Sequence, residues 1–296
     1  MFIPISENLN TGWKNIRTAV EKRDGRHIAE TARRAVAGGA KALNVSGACG
    51  PENELENLLW ALGTALGAAD FVPSLDSADP EVLAGAAEGY LALSGRRPPE
   101  RYPGRGEVPW LIVNSVSGED ARYGGVARLA VEYRAAAIAL AMDGAGVPAD
   151  AEGRVKAAAG VVERLRKDGA PDHMIFVDAL AAPVGVNVEN GLAALEAVRR
   201  LRAEFPDVRI TCGLSNVSVG LPDRRVLNQA YLPMLVAAGL DSAIVDTTDP
   251  LLMKSLGAAL ALAGRDPYCA EYLENYRKRE KERVAGSDAC NPERGF

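Results

Sequence analysis

The side chains best suited to chemistry in this sequence are carboxylates and amides that close short apolar runs. In chain order they are Glu7, Asn8 and Asn10; Asn44 and Ser46; Asp76; Asn114 and Ser115; Asp143; Asp178; Ser215 and Asn216; and Asp246. No histidine, cysteine or lysine is among them. Such a set is poorly equipped for nucleophilic attack and well equipped to hold a polar heterocycle. A carboxylate can accept two hydrogens side by side, as it does from arginine. An amide carries a donor and an acceptor on one group and so matches neighbouring ring nitrogens and a carbonyl. Any one of these residues could instead cap a loop or the next helix. The whole set, aimed at one place, is what points to a site.

Those residues need a scaffold that brings them together. The apolar runs they close are Phe2–Ser6, Ala42–Ser46, Phe71–Asp76, Trp110–Ser115, Ala136–Asp143, Met174–Leu180, Arg209–Asn216 and Ser242–Thr247. Most are continuous rather than alternating, as in strands buried on both faces. Helical periodicity fills the gaps near Asn15–Ala37, Asn53–Leu66, Pro80–Leu93, Tyr123–Tyr133, Glu152–Lys167, Glu189–Glu204, Arg225–Ala238 and Pro250–Ala263. About eight strand-then-helix repeats predict a (β/α)8 TIM barrel, whose site lies at the C-terminal strand ends. A doubly wound open sheet is the runner-up, but no GxGxxG follows the first strand. Asp79-Pro80 and Asp249-Pro250 read as N-caps before a first-position proline. Gly38-Gly39 and Gly239 read as C-terminal stops.

Residues 1–265 are expected to form the barrel. Residues 266–296 are expected to add a docked helix and a frayed end to the same domain, the helix starting in the aromatic stretch Tyr268–Tyr276. The Pro, Gly and Arg-rich stretch Gly95–Pro109 is expected to be a solvated loop on the non-catalytic face.

Composition narrows the function classes. The chain has 296 residues, 48% of them hydrophobic and 25% charged, with a net charge of −5. That is ample for one large core and gives no strongly basic surface, so nucleic-acid binding is not expected. No apolar run approaches the roughly 20 residues of a membrane span, and Met1-Phe2-Ile3-Pro4-Ile5 lacks the basic start of a signal peptide. Cys49, Cys212, Cys269 and Cys290 form no CxxC pair and read as reduced thiols of a cytoplasmic protein. The only histidines are His27, within a charged helical stretch, and His173, ahead of a strand. No metal site is expected from them, and Ser-His-Asp or Cys-His chemistry is poorly supplied.

At these residues the sequence resembles the methyltetrahydrofolate:corrinoid protein methyltransferases, relatives of dihydropteroate synthase and of the folate domain of cobalamin-dependent methionine synthase. The most specific stretch is Cys212-Gly-Leu-Ser-Asn-Val-Ser218, followed by Asp223-Arg224, Asn228 and Ala238-Gly-Leu-Asp-Ser-Ala-Ile-Val-Asp246. Leu75-Asp-Ser77, Val113-Asn-Ser115, Met142-Asp143 with Gly146-Val-Pro148, Val177-Asp-Ala-Leu180 and Gly38-Gly-Ala-Lys-Ala-Leu-Asn44 fit the same order. The resemblance implies a pterin-binding barrel, commonly dimeric, with no metal of its own. It implies that Asp76, Asn114 and Asp178 hold the pterin ring, that Asn216 reaches N5, and that Gly213, Ser215 and Arg224 shape the pocket. Glu7, Asn10, Asp143 and Asp246 join them as strand-end candidates. Asn44 and Ser46 stand where relatives usually carry an Asp-x-Asn pair, and the opening reads Ser6-Glu-Asn-Leu-Asn10 rather than Gly-Glu-Arg-x-Asn.

The reaction so implied moves a methyl group between N5 of a reduced pterin such as tetrahydrofolate and a corrinoid (cobalamin). The corrinoid must ride on a partner protein, because neither histidine can complete an Asp-x-His-x-x-Gly signature. By residue type the strand-end set holds no good acid near neutral pH, so Asn216 with water and nearby carboxylates is expected to stabilise charge at N5. Two alternatives stay open: a dihydropteroate synthase-like enzyme, which needs a basic loop for pyrophosphate, and a non-catalytic pterin-binding subunit.

Overall fold

The structure, a computed structural model, describes residues 1–50 and 52–289; Cys290 and the rest of the expected frayed end lie outside the described residues. Eight parallel strands run β1 (Ile3–Leu9), β2 (Ala42–Ser46), β3 (Val72–Asp76), β4 (Ile112–Val116), β5 (Ala136–Leu140), β6 (Ile175–Asp178), β7 (Arg209–Thr211) and β8 (Ser242–Val245). Their spatial order, β7-β6-β5-β4-β3-β2-β1-β8, leaves β7 and β8 as the ends of the sheet. Those ends meet: Asp241 N donates to Ile210 O at 2.8 Å and Ile244 N donates to Cys212 O at 2.9 Å. The sheet is therefore a barrel, as the repeat count predicts.

Each strand sorts its residues by alternation, because successive side chains point to opposite faces. Outward residues such as Leu43, Val45, Leu75, Val113, Ala137 and Val177 pack in the layer beneath the helices. Inward residues Ile3, Ile5, Ala42, Ile112, Ala136, Ile138, Met174 and Phe176 fill the lumen as a separate cluster. Continuous apolar runs follow from this two-sided burial.

The local punctuation behaves as read. Asp79 accepts from Glu81 N, and Asp249 accepts from both Leu251 N and Leu252 N. Gly39 and Gly239 take φ of 104° and 114°, which a side chain would disfavour. The long segment expected over Asn15–Ala37 is two helices, Lys14–Glu21 and Gly25–Ala37. Arg23 at φ 53° breaks the run, and Asp24 caps the second helix through His27 N.

The Gly95–Pro109 stretch is more than a solvated loop. It crosses the N-terminal end of the barrel, where Tyr102 packs against the lumen cluster. Arg209 Nη2 donates to Arg105 O at 2.6 Å and Glu107 O at 3.1 Å, and His173 Nε2 lies 2.8 Å from Pro103 O. The last helix spans Ala270–Ala289 and so runs through the charged residues Arg277–Arg283. Asp266 anchors its start by accepting from Glu271 N and Tyr272 N, while Leu273 and Tyr276 remain exposed.

Candidate active site

The inward series end in polar residues at the C-terminal mouth. Ile3 and Ile5 are followed by Glu7, Ala42 by Asn44 and Ser46, Ser74 by Asp76, Ile112 by Asn114, Phe176 by Asp178, and Ile244 by Asp246. β5 is the exception. It ends at Leu140, and the chain then leaves the barrel, so Asp143 is exposed and accepts a hydrogen bond from Ala145 N at 2.9 Å. Asp143 faces an outer groove beside Gly146, Pro148 and Lys156. It is not brought to the mouth with the others, because the strand is three residues shorter than the apolar run suggested.

One side of the mouth is an amide-carboxylate cluster. Asn10 Nδ2 donates to Asp76 Oδ2 at 2.8 Å, and Asn44 Nδ2 donates to the same oxygen at 2.7 Å. Asn44 Oδ1 in turn accepts from Ser74 Oγ and from Asn114 Nδ2, both at 3.1 Å. Asn44 is thus the hub that orients Asp76 and Asn114. Ser46 does something different: its Oγ accepts from Thr11 N at 3.0 Å and pairs with Thr11 Oγ1 at 2.8 Å, pinning the loop after β1. The two departures from the family pattern therefore sit inside hydrogen-bonded networks. Sequence reasoning set Asn44 aside as a departure, although its inward register beside Asp76 was the available signal.

Across the mouth, Ser215 Oγ donates to Glu7 Oε2 at 2.6 Å. Arg224 holds the segment that carries Ser215, through Ser215 O at 2.8 Å and Ser218 Oγ at 3.1 Å, and its guanidinium lies 5.6 Å from the Trp13 ring centre. Asp246 Oδ1 accepts from Asn8 Nδ2 at 2.8 Å and from Thr248 Oγ1 at 2.6 Å. Asn216 lies exposed on the turn Leu214–Ser218. A Cβ on Gly213 would come within 2.9 Å of Asn216 Nδ2, so the glycine leaves room for that amide. The Asn216 backbone closes the turn, accepting from Val219 N.

Burial sets the charge states. Desolvation pushes Glu7 up to about 7; the Asp246 charge pushes the same way, while the Ser215 bond and Arg224 oppose it. Burial also raises Asp178 to about 6, against backbone hydrogen bonds from Leu180 and Gly213 and the charge of Arg154. Asp76 is raised by burial despite its two amide donors. The expectation that no strand-end residue is an acid near neutral pH is therefore overturned. Composition lists carboxylates, but only packing shows which of them lose water.

Among the described residues, no group of three or more His, Cys, Asp and Glu side chains could hold a metal ion, and no helix is long and apolar enough to cross a membrane.

The family of pterin-binding enzymes matches residues 107–246. Over 278 residues the chain is 30% identical to a methylcorrinoid:tetrahydrofolate methyltransferase of Eubacterium limosum, covering 93% of this chain and 96% of that protein. The chain belongs to the family of these methyltransferases. A methionine synthase of Mycobacterium tuberculosis is 32% identical over 213 residues, which cover 66% of this chain and 16% of that much longer protein. Solved dihydropteroate synthases share the fold: that of Coxiella burnetii, in complex with pteroic acid, superposes with a TM-score of 0.65 at 14% identity, over 88% of this chain and 93% of that one. Membership in the methyltransferase family makes the protein an enzyme of methyl transfer built on a TIM barrel.

Proposed function

We propose that this methyltransferase moves a methyl group between N5 of tetrahydrofolate and a corrinoid carried by a partner protein. It would act in the cytoplasm as a homodimer, with residues 1–265 as the pterin-binding barrel and 266–296 as an extension of it. The name of the Eubacterium limosum relative supports the pair of substrates. The donor set of the mouth fits a pterin. Asp76 has Oδ2 filled by two amides and Oδ1 left to accept from a ring edge. Asn114 gives its Nδ2 to Asn44 and keeps its Oδ1 for a ligand, and Asp178 supplies a second buried carboxylate. The partner would belong to an O-demethylase, to betaine or methylamine use, or to acetyl-CoA synthesis.

The observation that carries the reading is the pairing of Glu7 with Ser215 beside Asn216. An N5-methyl amine leaves only if positive charge at N5 is stabilised. A corrinoid supplies a cobalt centre that takes or gives the methyl group. This chain binds the ring, keeps water from its edge and manages the proton at N5. Glu7, near 7, can hold or release that proton at physiological pH. Ser215 relays its hydroxyl onto Glu7, and the Asn216 amide can donate or accept as N5 changes state. A pyrophosphate-binding reading is not favoured, because Arg224 is committed to Ser215 and Ser218.

The test is single-turnover methyl transfer with tetrahydrofolate and a free corrinoid, beside a pterin-binding titration. Asn216→Ala should slow transfer by roughly 10²–10³-fold, as loss of one preorganised donor does, and weaken unmethylated pterin binding far less. A rate that falls only in step with affinity would reduce Asn216 to a loop residue. Pterin binding without any transfer by the parent protein would instead favour a non-catalytic subunit.

A further inference from the structure

The helix Ala151–Lys167 packs outside the barrel, yet its Arg154 is 1% exposed and is the largest fully buried side chain among the described residues. Its hydrogen bonds all go to backbone carbonyls: Nε donates to Pro148 O at 3.0 Å, and Nη1 donates to Ala179 O at 3.2 Å and Leu180 O at 2.9 Å. Among the described residues, no carboxylate pairs with it directly. Burying a cation without a carboxylate partner costs free energy, so stability alone does not account for it. Its position relative to the mouth suggests another role. Ala179 and Leu180 are the two residues after Asp178. Leu180 stands at φ 58°, a conformation unfavourable for leucine, and from there its N–H turns back onto Asp178 Oδ1 at 2.7 Å.

We propose that Arg154 is a positioning residue for the pterin site: from behind β6 it holds the Ala179–Leu180 turn so that Asp178 is aimed at the ring. This rests on the reading of Asp178 as a pterin ligand. The charge of Arg154 acts on that carboxylate, whose pKa lies near 6. Other groups packed around this region are Cys212 just after β7, Tyr231 of the helix Arg224–Ala238, and Asp150 ahead of the Arg154 helix. Of these groups, Arg154 is the cation whose loss would lift Asp178 further. Since Asp178 must be ionised to accept from a ring edge, binding fades as pH falls through its pKa, and a raised pKa moves that loss to higher pH.

Arg154→Met fills the same space without charge or donors. It should raise the pterin KM about tenfold or more, equivalent to about 1.4 kcal/mol, with a smaller change in kcat, and shift the acid limb of kcat/KM upward. Arg154→Lys, which keeps the charge with fewer reachable carbonyls, should restore the acid limb and part of the KM. A lowered Tm with KM and acid limb unmoved in Arg154→Met would make the residue a loop anchor and overturn the proposal. Asp178→Asn serves as the reference, assayed alongside by calorimetric titration with tetrahydrofolate. If it binds the pterin normally, the site reading fails and this inference with it. If it loses binding while Arg154→Met does not, this inference alone fails.

Discussion

Glu7 carries a buried carboxyl whose proton is held by its surroundings rather than by its own chemistry. Its raised pKa means the folded state binds more protons than the unfolded chain between the ordinary carboxylate range and about pH 7. The stability this contributes is fully present below the unfolded pKa and is lost as pH rises through 7. Glu7→Gln removes the titration, so the variant should gain stability relative to the parent between pH 5 and pH 8, by up to about 3 kcal/mol. Melting curves across that range check it, and parallel curves would remove Glu7 as a buried acid. The same substitution should erase the limb near pH 7 from the transfer rate. Asp76 is argued on other grounds. Its Oδ2 satisfies Asn10 and Asn44 together, so Asp76→Ala strands two amide donors as well as the ligand. Each unpaired buried group costs about 1–3 kcal/mol, and pterin affinity should fall at least tenfold by calorimetry. Unchanged affinity would take Asp76 out of the site.

At the level of elements, the mouth is shaped by close approaches between helices and strand ends. Gly38 closes the helix Gly25–Ala37 directly against the chain after β8, and a Cβ there would lie 2.9 Å from the carbonyl carbon of Thr247 and closer still to its oxygen. Thr247 Oγ1 also donates to Ala35 O at 3.1 Å, locking the same contact from the other side. Gly38 has ordinary helical φ, so its requirement is space, not backbone freedom. Gly38→Ala should destabilise the protein by about 1–3 kcal/mol, the usual cost of overpacking, seen as a Tm drop of several degrees. Asp246, one residue before Thr247, should be displaced with it, so transfer activity should fall as well. A variant with parental Tm would show that the helix end can slide.

For the whole molecule, the barrel divides its ends by function. The N-terminal end is closed by Tyr102 and by Arg209 gripping the crossing loop. The C-terminal end keeps its polar residues for a ligand. The final helix lies beyond this division: its Tyr272 lies against Gly257 of the helix Pro250–Leu262, and Leu273 and Tyr276 are exposed. Ending the chain after Asp266 should therefore leave a folded barrel, with pterin affinity within about twofold and a modest loss of Tm. Sedimentation of the same variant reports whether the removed helix holds two copies together. Loss of folding would show that residues 267–296 are integral to the core.

Strand number, strand order and most of the mouth were legible in the sequence, because periodicity and burial are local consequences of residue type. Ala42–Ser46 and the caps at Asp79 and Asp249 needed nothing beyond their neighbours. The Cys212–Ser218 stretch was likewise the most specific part of a family resemblance that the other stretches completed in order. What local pattern does not contain is distance across the barrel. It placed Asp143 at the mouth because the apolar run continued past Leu140, where the real strand ends. It passed over Asn44 as a departure, because its three partners lie on β3 and β4, separated from it in the sequence by whole helices. It found no neutral-pH acid, because a pKa depends on how much water packing removes, and that is decided only when Glu7 is enclosed by Ser215, Asp246 and Arg224. Arg154 is the clearest case: in the sequence it is one residue of the helical segment Glu152–Lys167, and only the tertiary fold buries it behind Asp178.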